Sequence, residues 1–476
     1  TEGKPIHKSQ IAASISDTWK ESIVPTLQDY IRIPALSPLF DPDWEGTGAI
    51  NQARELLEQW ARAHAPEGMV PETVQLPGRT PVLFAEIPGN GSGTALLYGH
   101  FDKQPEMEGW DPDKGPWEPV IENGRLYGRG GADDGYALFA SIEAVRALQR
   151  EGVDHPRVVL LIEASEESGS VDLPAYLESL APRIGQCDLV AALDSTCGDY
   201  ERMWVTTSLR GALVGELSVK LLHEGVHSGD GSGVVASTFR VVRQLLDRIE
   251  DSKTGHVLPE WLHAEVPGER LEQAALAADV LGSLGDKFPL VDGARAVSDQ
   301  PIELVLNRSW RPTLSIVGAD GLPSMQKAGN VLRPMTGVKI SVRLPPTVDA
   351  VAANEKLKEL LESDPPYGAQ VEFTPRVPGQ GWHMKPAQSW FSDSVDEASR
   401  AFFDKTPVYM GSGGSIPFLA SLQESQPNAE FLVTGVLGPN SNAHGPNEFL
   451  ELKTGERLTA CLVLLLARMA ERAVPA

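Results

Sequence analysis

The stretch Glu163-Ala-Ser-Glu166-Glu167-Ser-Gly169 follows a short apolar run, Val158-Val-Leu-Leu-Ile162. The run is rich in β-branched residues and too short for most helices, so it predicts a buried β-strand. Two adjacent carboxylates then lie just past the strand's carboxyl end, where open α/β sheets bind their ligands. Because neighbouring carboxylates repel each other, a cation or a shared proton is needed to relieve them. The stretch therefore predicts a charged site at the edge of an α/β sheet.

On both sides of this strand, apolar runs alternate with segments of helical period. Further strands are predicted at 82–87, 95–98, 189–193 and 431–434. Helices are predicted at 9–33, 49–63, 136–150, 388–403, 416–423 and 453–472. This alternation is typical of a mainly parallel sheet flanked by helices, which is an α/β fold.

The pattern changes near residue 205. Leu213–Leu221 alternates apolar and polar residues as a half-exposed strand does. Other predicted elements of this region are strands at 313–317, 337–343 and 371–374 and helices at 234–249 and 350–362. A chain of 476 residues is also too long for one ordinary core. We therefore predict a first domain made of 1–206 and 387–476, with an α+β domain, 207–386, inserted into it.

Composition and charge restrict the classes of partner. The chain has 41% apolar and 22% charged residues, as globular proteins do, and a net charge of −24. That charge argues against nucleic acid and membrane as partners, although a locally positive pocket for an anionic substrate stays open. Cys187, Cys197 and Cys461 form no Cys-x-x-Cys pair, which indicates reduced thiols and a cytoplasmic location. No signal-type segment opens the chain; it lacks a starting Met, so a removed segment stays an alternative.

Polar side chains gather just past the predicted strands. They are His100, Asp102, Asp133, Glu166, Glu167, Asp194 and His444. Taken singly, each is better explained as a structural histidine or a solvated acidic turn, but their coincidence at successive strand ends favours a metal site. Imidazole and carboxylate ligands without a thiolate suit catalytic zinc, manganese or cobalt. One carboxylate could bridge two cations, and a neighbouring acid could take the proton of a water molecule.

Four separated motifs resemble the di-metal exopeptidases that include carnosinase, glutamate carboxypeptidase, aminoacylase and succinyl-diaminopimelate desuccinylase. The motifs are Gly99-His100-Phe-Asp102, Gly128-Arg-Gly-Gly-Ala-Asp133-Asp134-Gly135, Glu166-Glu167-Ser-Gly169 and Ala443-His444. The resemblance covers nearly the whole chain. It is greatest to the carnosinase-like dipeptidase branch, through Ser208-Leu-Arg-Gly211, His227-Ser-Gly229, Ser341-Val-Arg343 and Gly413-Gly-Ser415-Ile-Pro417. One departure is Asp133-Asp134-Gly135-Tyr136, where relatives commonly have Asp, then Asp or Asn, then Lys-Gly.

The resemblance implies a role for each residue at the strand ends. His100 and Asp194 would bind one metal, and Glu167 and His444 the other. Asp133 would bridge the two metals and precede a cis peptide bond to Asp134. Glu166 would act as general base and acid, and Asp102 would orient His100.

The resemblance also implies that the inserted domain is a lid and a dimerisation domain. His227 would reach from this domain into the active site of the partner subunit of a homodimer and polarise the scissile carbonyl. Arg343, Asn330, Gly414 and Ser415 would bind the carboxylate of the substrate. An arginine fork and free backbone N–H groups are suited to that task.

The leading hypothesis is a cytoplasmic metallo-exopeptidase of dipeptidase or carboxypeptidase type. It would hydrolyse the amide bond of dipeptides or short peptides with a free carboxylate. Two divalent metals per subunit are expected, zinc being favoured over manganese and cobalt. A deacylase of N-acyl amino acids with the same site is the alternative enzyme. A non-catalytic metal-binding protein of the same fold is the third hypothesis, but it would have no need of the unligated Glu166.

Overall fold

The computed structural model describes residues 4–472, which form two compact units. The first unit contains the chain up to Thr207, Met384–Tyr409 and the chain from Pro417 onward. The second unit contains Ser208–His383 and Met410–Ile416. The short segment Met410–Ile416, which the sequence pattern placed in the last part of the first domain, thus groups with the second unit.

The strands, in chain order, are β1 (Glu72–Val74), β2 (Val82–Ile87), β3 (Thr94–His100), β4 (Val120–Glu122), β5 (Arg125–Tyr127), β6 (Arg157–Glu163), β7 (Leu189–Ala192), β8 (Trp204–Leu209), β9 (Gly211–Lys220), β10 (Val226–His227), β11 (Thr313–Asp320), β12 (Val331–Leu332), β13 (Met335–Leu344), β14 (Gln370–Pro375), β15 (Trp382–His383), β16 (Val408–Ser412), β17 (Glu430–Val433) and β18 (Phe449–Glu451).

The α-helices are α1 (Lys8–Thr18), α2 (Val24–Ile31), α3 (Trp44–Thr47), α4 (Ala49–Ala63), α5 (Tyr136–Arg150), α6 (Leu173–Ile184), α7 (Ser228–Gly231), α8 (Thr238–Leu246), α9 (Gly268–Leu281), α10 (Pro301–Ser309), α11 (Ala350–Glu362), α12 (Ser389–Phe403), α13 (Pro417–Ser425) and α14 (Leu452–Ala470). A π-helical turn, Trp19–Ile23, joins α1 to α2. Within residues 4–472, none of the helices is long and apolar enough to cross a membrane.

A six-stranded sheet organises the first unit, in the order β1-β2-β6-β3-β7-β17. The neighbours β6, β3, β7 and β17 run parallel, whereas β1 and β2 pair antiparallel at one edge. In β6, every residue after Arg157 is buried, as expected for a continuous apolar run in the middle of a parallel sheet. The mainly parallel α/β architecture predicted from the sequence is therefore confirmed.

Helices of the first unit flank this sheet. The helix α5 packs on β3 and contacts α1, α4 and α14, whereas α6 packs with α13. A second, smaller sheet, β18-β5-β4, joins the loop before α5 to the beginning of α14. This small sheet was not predicted, because its strands have only three residues each.

A four-stranded antiparallel sheet, β11-β13-β9-β14, organises the second unit. Inward-facing residues of β9 and β13 form a hydrophobic core with α8 and α11, for example Leu217, Ile340, Val241 and Leu357. The predicted alternation of β9 and the predicted bounds of α11 agree with the structure. The helix predicted at 234–249 is shorter, and α9 and α10 were not predicted.

Candidate metal centre

Three neighbouring parallel strands bring candidate ligands to one edge of the sheet. His100 is the last residue of β3 and lies in register with Glu163, the last residue of β6. Glu166 and Glu167 form a tight turn directly after β6, and Asp194 follows β7. Because these strands are parallel, their carboxyl ends open into the same crevice.

Asp133 lies between the two histidines. The Nε2 atom of His100 lies 3.2 Å from Asp133 Oδ1 and 3.3 Å from Asp194 Oδ2. The Nε2 atom of His444 lies 3.0 Å from Asp133 Oδ2 and 3.4 Å from Glu167 Oε2. Each of these two triplets has ligand atoms within 4.8 Å of one another. Asp133 thus contributes one carboxylate oxygen to each triplet.

Glu166 lies in the same cluster. Its Oε2 atom is 3.3 Å from His100 Nε2, and with Glu167 it completes a third triplet of ligand type. The side chain is 12% exposed, whereas that of Glu167 is 4% exposed. Glu166 is therefore the more accessible of the two acids, and it has the geometry of a ligand as well as the position of a base.

The residues of the centre fit divalent cations. Within residues 4–472, Glu167 Oε1 is among the few buried side-chain oxygens without a hydrogen-bond partner. Burial raises the pKa of Glu167 to about 8 and that of Asp194 to about 7. These acids are therefore costly to ionise together unless a cation compensates them. Nitrogen and oxygen donors of this kind are those that zinc, manganese and cobalt accept.

The two histidines respond to the same negative charge. Burial alone would lower the pKa of His100, but the charges of Asp194 and Glu166 outweigh it and raise the pKa well above its usual value. Hydrogen bonds to Asp133 and Glu167 raise the pKa of His444 to about 10. A metal would use the same imidazole nitrogens as a proton, so that metal and proton compete for this centre.

Asp102 contacts both His100 and the acidic turn. Its Oδ1 atom lies 3.3 Å from His100 Nδ1, and its carboxylate accepts the backbone N–H groups of Glu166 at 3.2 Å and Glu167 at 2.9 Å. The carboxylate is fully buried. Asp102 therefore fixes the ring of His100 and the start of the Glu166–Ser168 turn together.

A buried ion pair, Arg129 with Glu448, holds the segments that carry Asp133 and His444. The guanidinium donates to Glu448 Oε1 at 2.9 Å and to the carbonyl of Gly445 at 2.7 Å. The other oxygen, Glu448 Oε2, accepts backbone N–H groups of Gly130 at 2.9 Å, Ala132 at 3.3 Å and Asp133 at 3.3 Å. The pair thus positions Asp133 through the N–H group of Asp133 itself, and His444 through the carbonyl of the next residue, Gly445.

The segment before α5 is tightly packed. The peptide bond between Asp133 and Asp134 is cis, as predicted. At Gly135, where the resemblance leads us to expect lysine, a Cβ atom would lie 2.3 Å from the ring of Tyr30. Tyr136 donates its buried hydroxyl to the carbonyl of Leu193 at 2.5 Å, directly before Asp194. A side chain larger than hydrogen is therefore excluded at position 135.

Three residues near the centre were not among the sequence candidates. They are Arg129, Glu448 and Gln104, whose amide donates to Glu167 Oε2 at 2.8 Å. Arg129 lies within a quoted motif, four residues before Asp133, and Glu448 lies four residues after His444; this closeness is the signal that could have indicated them. Nothing in the pattern around Gln104 distinguishes it from a surface glutamine.

The remaining candidates belong to the second unit, where they form two small groups. Arg343 Nη1 lies 3.4 Å from Ser415 Oγ, and the Gly414 N–H donates to Ser412 Oγ at 3.4 Å. His227 is exposed, and its Nδ1 accepts the N–H of Gly229 at 3.0 Å. The Asn330 carbonyl accepts the N–H of Ser228, the residue after His227, at 2.9 Å.

Comparison with known proteins agrees with this arrangement. The model of peptidase family M20/M25/M40 matches residues 96–468. A cysteinylglycine-S-conjugate dipeptidase of Corynebacterium striatum is 27% identical over 78% of this chain and 80% of its own length. The human Beta-Ala-His dipeptidase is 26% identical over 86% of this chain and 82% of its own length.

A solved structure shares the fold over almost the entire chain. The di-peptidase Dug1p from Saccharomyces cerevisiae aligns with a TM-score of 0.74 and 22% sequence identity, over 98% of this chain and 99% of its own. Likeness at this identity concerns the fold alone, whereas the family match rests on the sequence. The resemblance to carnosinase-like dipeptidases is thereby confirmed, and the chain belongs to peptidase family M20/M25/M40, whose members are metallopeptidases.

Proposed function

We propose that this metallopeptidase hydrolyses the amide bond of dipeptides or short peptides that carry a free carboxylate. The observation that carries the proposal is the sharing of Asp133 between two ligand triplets, with Glu166 beside them. The relatives named above, a cysteinylglycine-S-conjugate dipeptidase and a Beta-Ala-His dipeptidase, support dipeptides as the substrate class.

Two divalent cations are the cofactors of this proposal, with zinc favoured and manganese or cobalt as alternatives. His100 and Asp194 would hold one cation, Glu167 and His444 the other, and Asp133 both. Bound cations would lower the pKa of a water molecule toward about 7 and compensate the charge of the acids.

Glu166 is the proposed general base. Its carboxylate would take a proton from the attacking water and return it to the amide nitrogen as the bond breaks. Burial raises the pKa of Glu166 well above its usual value, which suits a group that must both accept and release a proton near neutral pH. Asp102 would keep His100 and the acidic turn in place during this exchange.

Residues of the second unit would recognise the rest of the substrate. Arg343, with Ser415, Gly414 and Asn330, would bind the free carboxylate, because a guanidinium and backbone N–H groups are good donors to it. His227 would polarise the scissile carbonyl in the active site of the partner subunit of a homodimer. The exposure of the His227 side chain supports this role, since among residues 4–472 no side chain hydrogen-bonds to its Nε2 atom. The cytoplasmic location stays a prediction.

The decisive experiment compares Glu166→Gln with wild-type protein on dipeptides, N-acetyl amino acids and longer peptides, with zinc and with manganese. We expect wild-type protein to prefer dipeptides. The variant should keep its metal content and lose about 10²–10⁴-fold in kcat, the usual contribution of a general base. Glu178→Gln, which changes an exposed acid of α6, is the matched control. Near-normal turnover by Glu166→Gln would contradict the mechanism, and a preference for N-acetyl amino acids would favour a deacylase.

A further inference from the structure

Three arginines gather around the Gly413–Ser415 segment of the second unit. Arg210 donates from Nε to the carbonyl of Gly413 at 3.2 Å, and Arg343 Nη1 lies 3.4 Å from Ser415 Oγ. A Cβ atom on Gly413 would lie 2.9 Å from Arg308 Cγ and 3.0 Å from Arg210 Nη2. Two residues of chain span at most about 7 Å, so all three side chains meet one short stretch of backbone.

Within residues 4–472, no carboxylate oxygen lies within 4.0 Å of a side-chain nitrogen of any of these three arginines. This is notable in a chain with 65 acidic and 41 basic residues, where acids are plentiful. Arg311, three residues beyond Arg308, does pair with Glu303. The lack of partners is therefore specific to the three arginines at the Gly413–Ser415 segment.

The guanidinium groups differ in how their donors are used. Arg210 is buried and donates to the backbone carbonyls of Gly413, Asn307 and Arg311, so it has a structural task. Within residues 4–472, the guanidinium of Arg308 makes only one hydrogen bond, a long one of 3.8 Å to the sulfur of Met410, and that of Arg343 makes only the one to Ser415. Arg308 and Arg343 thus keep most of their N–H donors free for a ligand.

The charges of Arg343 and Arg308 also act on Arg210. Burial, together with the charges of Arg343 and Arg308, lowers the pKa of Arg210 to about 10. Burial likewise lowers the pKa of Arg308. Since an arginine stays protonated at neutral pH, this region holds a concentrated positive charge that only an anion can compensate.

One carboxylate does not account for this charge. A single guanidinium can bind a carboxylate through two parallel hydrogen bonds, so Arg343 alone suffices for one carboxylate. Arg308 would then remain partly buried and uncompensated, which is costly for a charged group. A ligand with two negative groups compensates both free arginines.

We propose that Arg308 and Arg343 form a two-arginine recognition site, and that the preferred substrates are dipeptides whose carboxy-terminal residue is acidic. Arg343 binds the α-carboxylate and Arg308 the side-chain carboxylate, while Arg210 holds the Gly413–Ser415 segment in place. This inference rests on the proposed dipeptidase function and names its substrate class.

The test compares L-alanyl-L-glutamate with L-alanyl-L-glutamine, which have the same size and differ by one negative charge. For wild-type protein, kcat/KM should be higher for the glutamate peptide. In Arg308→Met, the ratio of the two kcat/KM values should fall about 10- to 100-fold, as expected for one charged hydrogen-bonded contact. In Arg308→Lys, which keeps the charge, this ratio should fall less. In Arg311→Met, which removes a paired arginine nearby, the ratio should stay at the wild-type value. An unchanged ratio in Arg308→Met would overturn the proposal.

A second measurement separates this proposal from the proposed function. Calorimetric titration with free L-glutamate and L-glutamine needs no turnover. We expect glutamate to bind more tightly, and the difference to shrink about 10-fold or more in Arg308→Met. If wild-type protein cleaves no peptide but shows this difference, the dipeptidase function fails and the anion site stands. Equal binding of both amino acids by wild-type protein would overturn the anion site whatever the activity.

Discussion

Replacing Glu448 with glutamine changes one oxygen of a carboxylate that accepts from Arg129 and from three backbone N–H groups. The amide NH₂ must then face either the guanidinium or those N–H groups, and both are donors. Arg129, which is 1% exposed, loses its charge partner in either orientation. Removing one partner of a buried ion pair costs about 3–5 kcal/mol, so we expect a loss of this size in the free energy of unfolding of the first unit.

The same substitution should weaken metal binding. Glu448 accepts the N–H of Asp133, and its partner Arg129 holds the carbonyl of Gly445 next to His444. Loss of such supporting contacts typically lowers metal affinity about 10- to 100-fold. Metal affinity would be measured by competition with a chelator. Opening free energies in β6 and α5 would come from hydrogen exchange of the metal-free protein.

An exposed ion pair of similar length is the matched control. Arg32 and Asp29 lie 2.8 Å apart, but their side chains are 56% and 60% exposed. Arg32→Met should therefore cost less than about 1 kcal/mol and leave metal affinity unchanged. The reasoning would be refuted if Glu448→Gln stayed within about 1 kcal/mol of wild type and bound metal as tightly.

Two further predictions concern the centre and the assembly. Because His444 has a pKa raised to about 10 in the metal-free centre, metal binding at pH 7 must displace its proton, so affinity should rise with pH through the neutral range. Calorimetry in two buffers of different ionisation enthalpy should detect proton release on metal binding. If no proton were released, metal and proton would not compete for His444. Mixing inactive His227→Ala and Glu166→Gln subunits should restore activity, since a shared-site heterodimer contains one intact site. No recovery, despite proven subunit exchange, would indicate that His227 does not act across subunits.

The strands that build the centre were predictable because parallel strands are buried on both faces. Residues 158–162 of β6 are an uninterrupted apolar run, and Glu166 and Glu167 lie in the turn that follows the strand. The alternation of apolar and polar residues in β9 was equally easy to recognise, since one face of that strand is buried and the other is more exposed. Both patterns depend on residues adjacent in sequence, which is why they could be recognised without a structure.

Other elements depend on contacts that no local pattern reveals. The Arg129–Glu448 pair joins residues 319 positions apart. In α9, the buried residues include three alanines, Ala274, Ala277 and Ala278, which give little hydrophobic contrast. The stronger signals there were Pro267, directly before the helix, and Pro301 at the start of α10. Proline at the start of a helix is more informative in this segment than hydrophobic period.

The position of His444 shows how the metal centre depends on the rest of the first unit. The residue has φ of 69°, a left-handed conformation that a non-glycine residue adopts only where its surroundings favour it. Its ring is about half exposed, at 54%, so packing around the side chain cannot hold it. The loop must be held through its backbone, and the bond from Arg129 to the Gly445 carbonyl does so. Because metal bound at His444 and Asp133 would bridge the two segments that Arg129 and Glu448 already join, metal binding and the ion pair should stabilise the same folded arrangement. Ligand binding to the folded state alone stabilises it. Saturating metal should therefore raise the stability of Glu448→Gln less than that of wild-type protein.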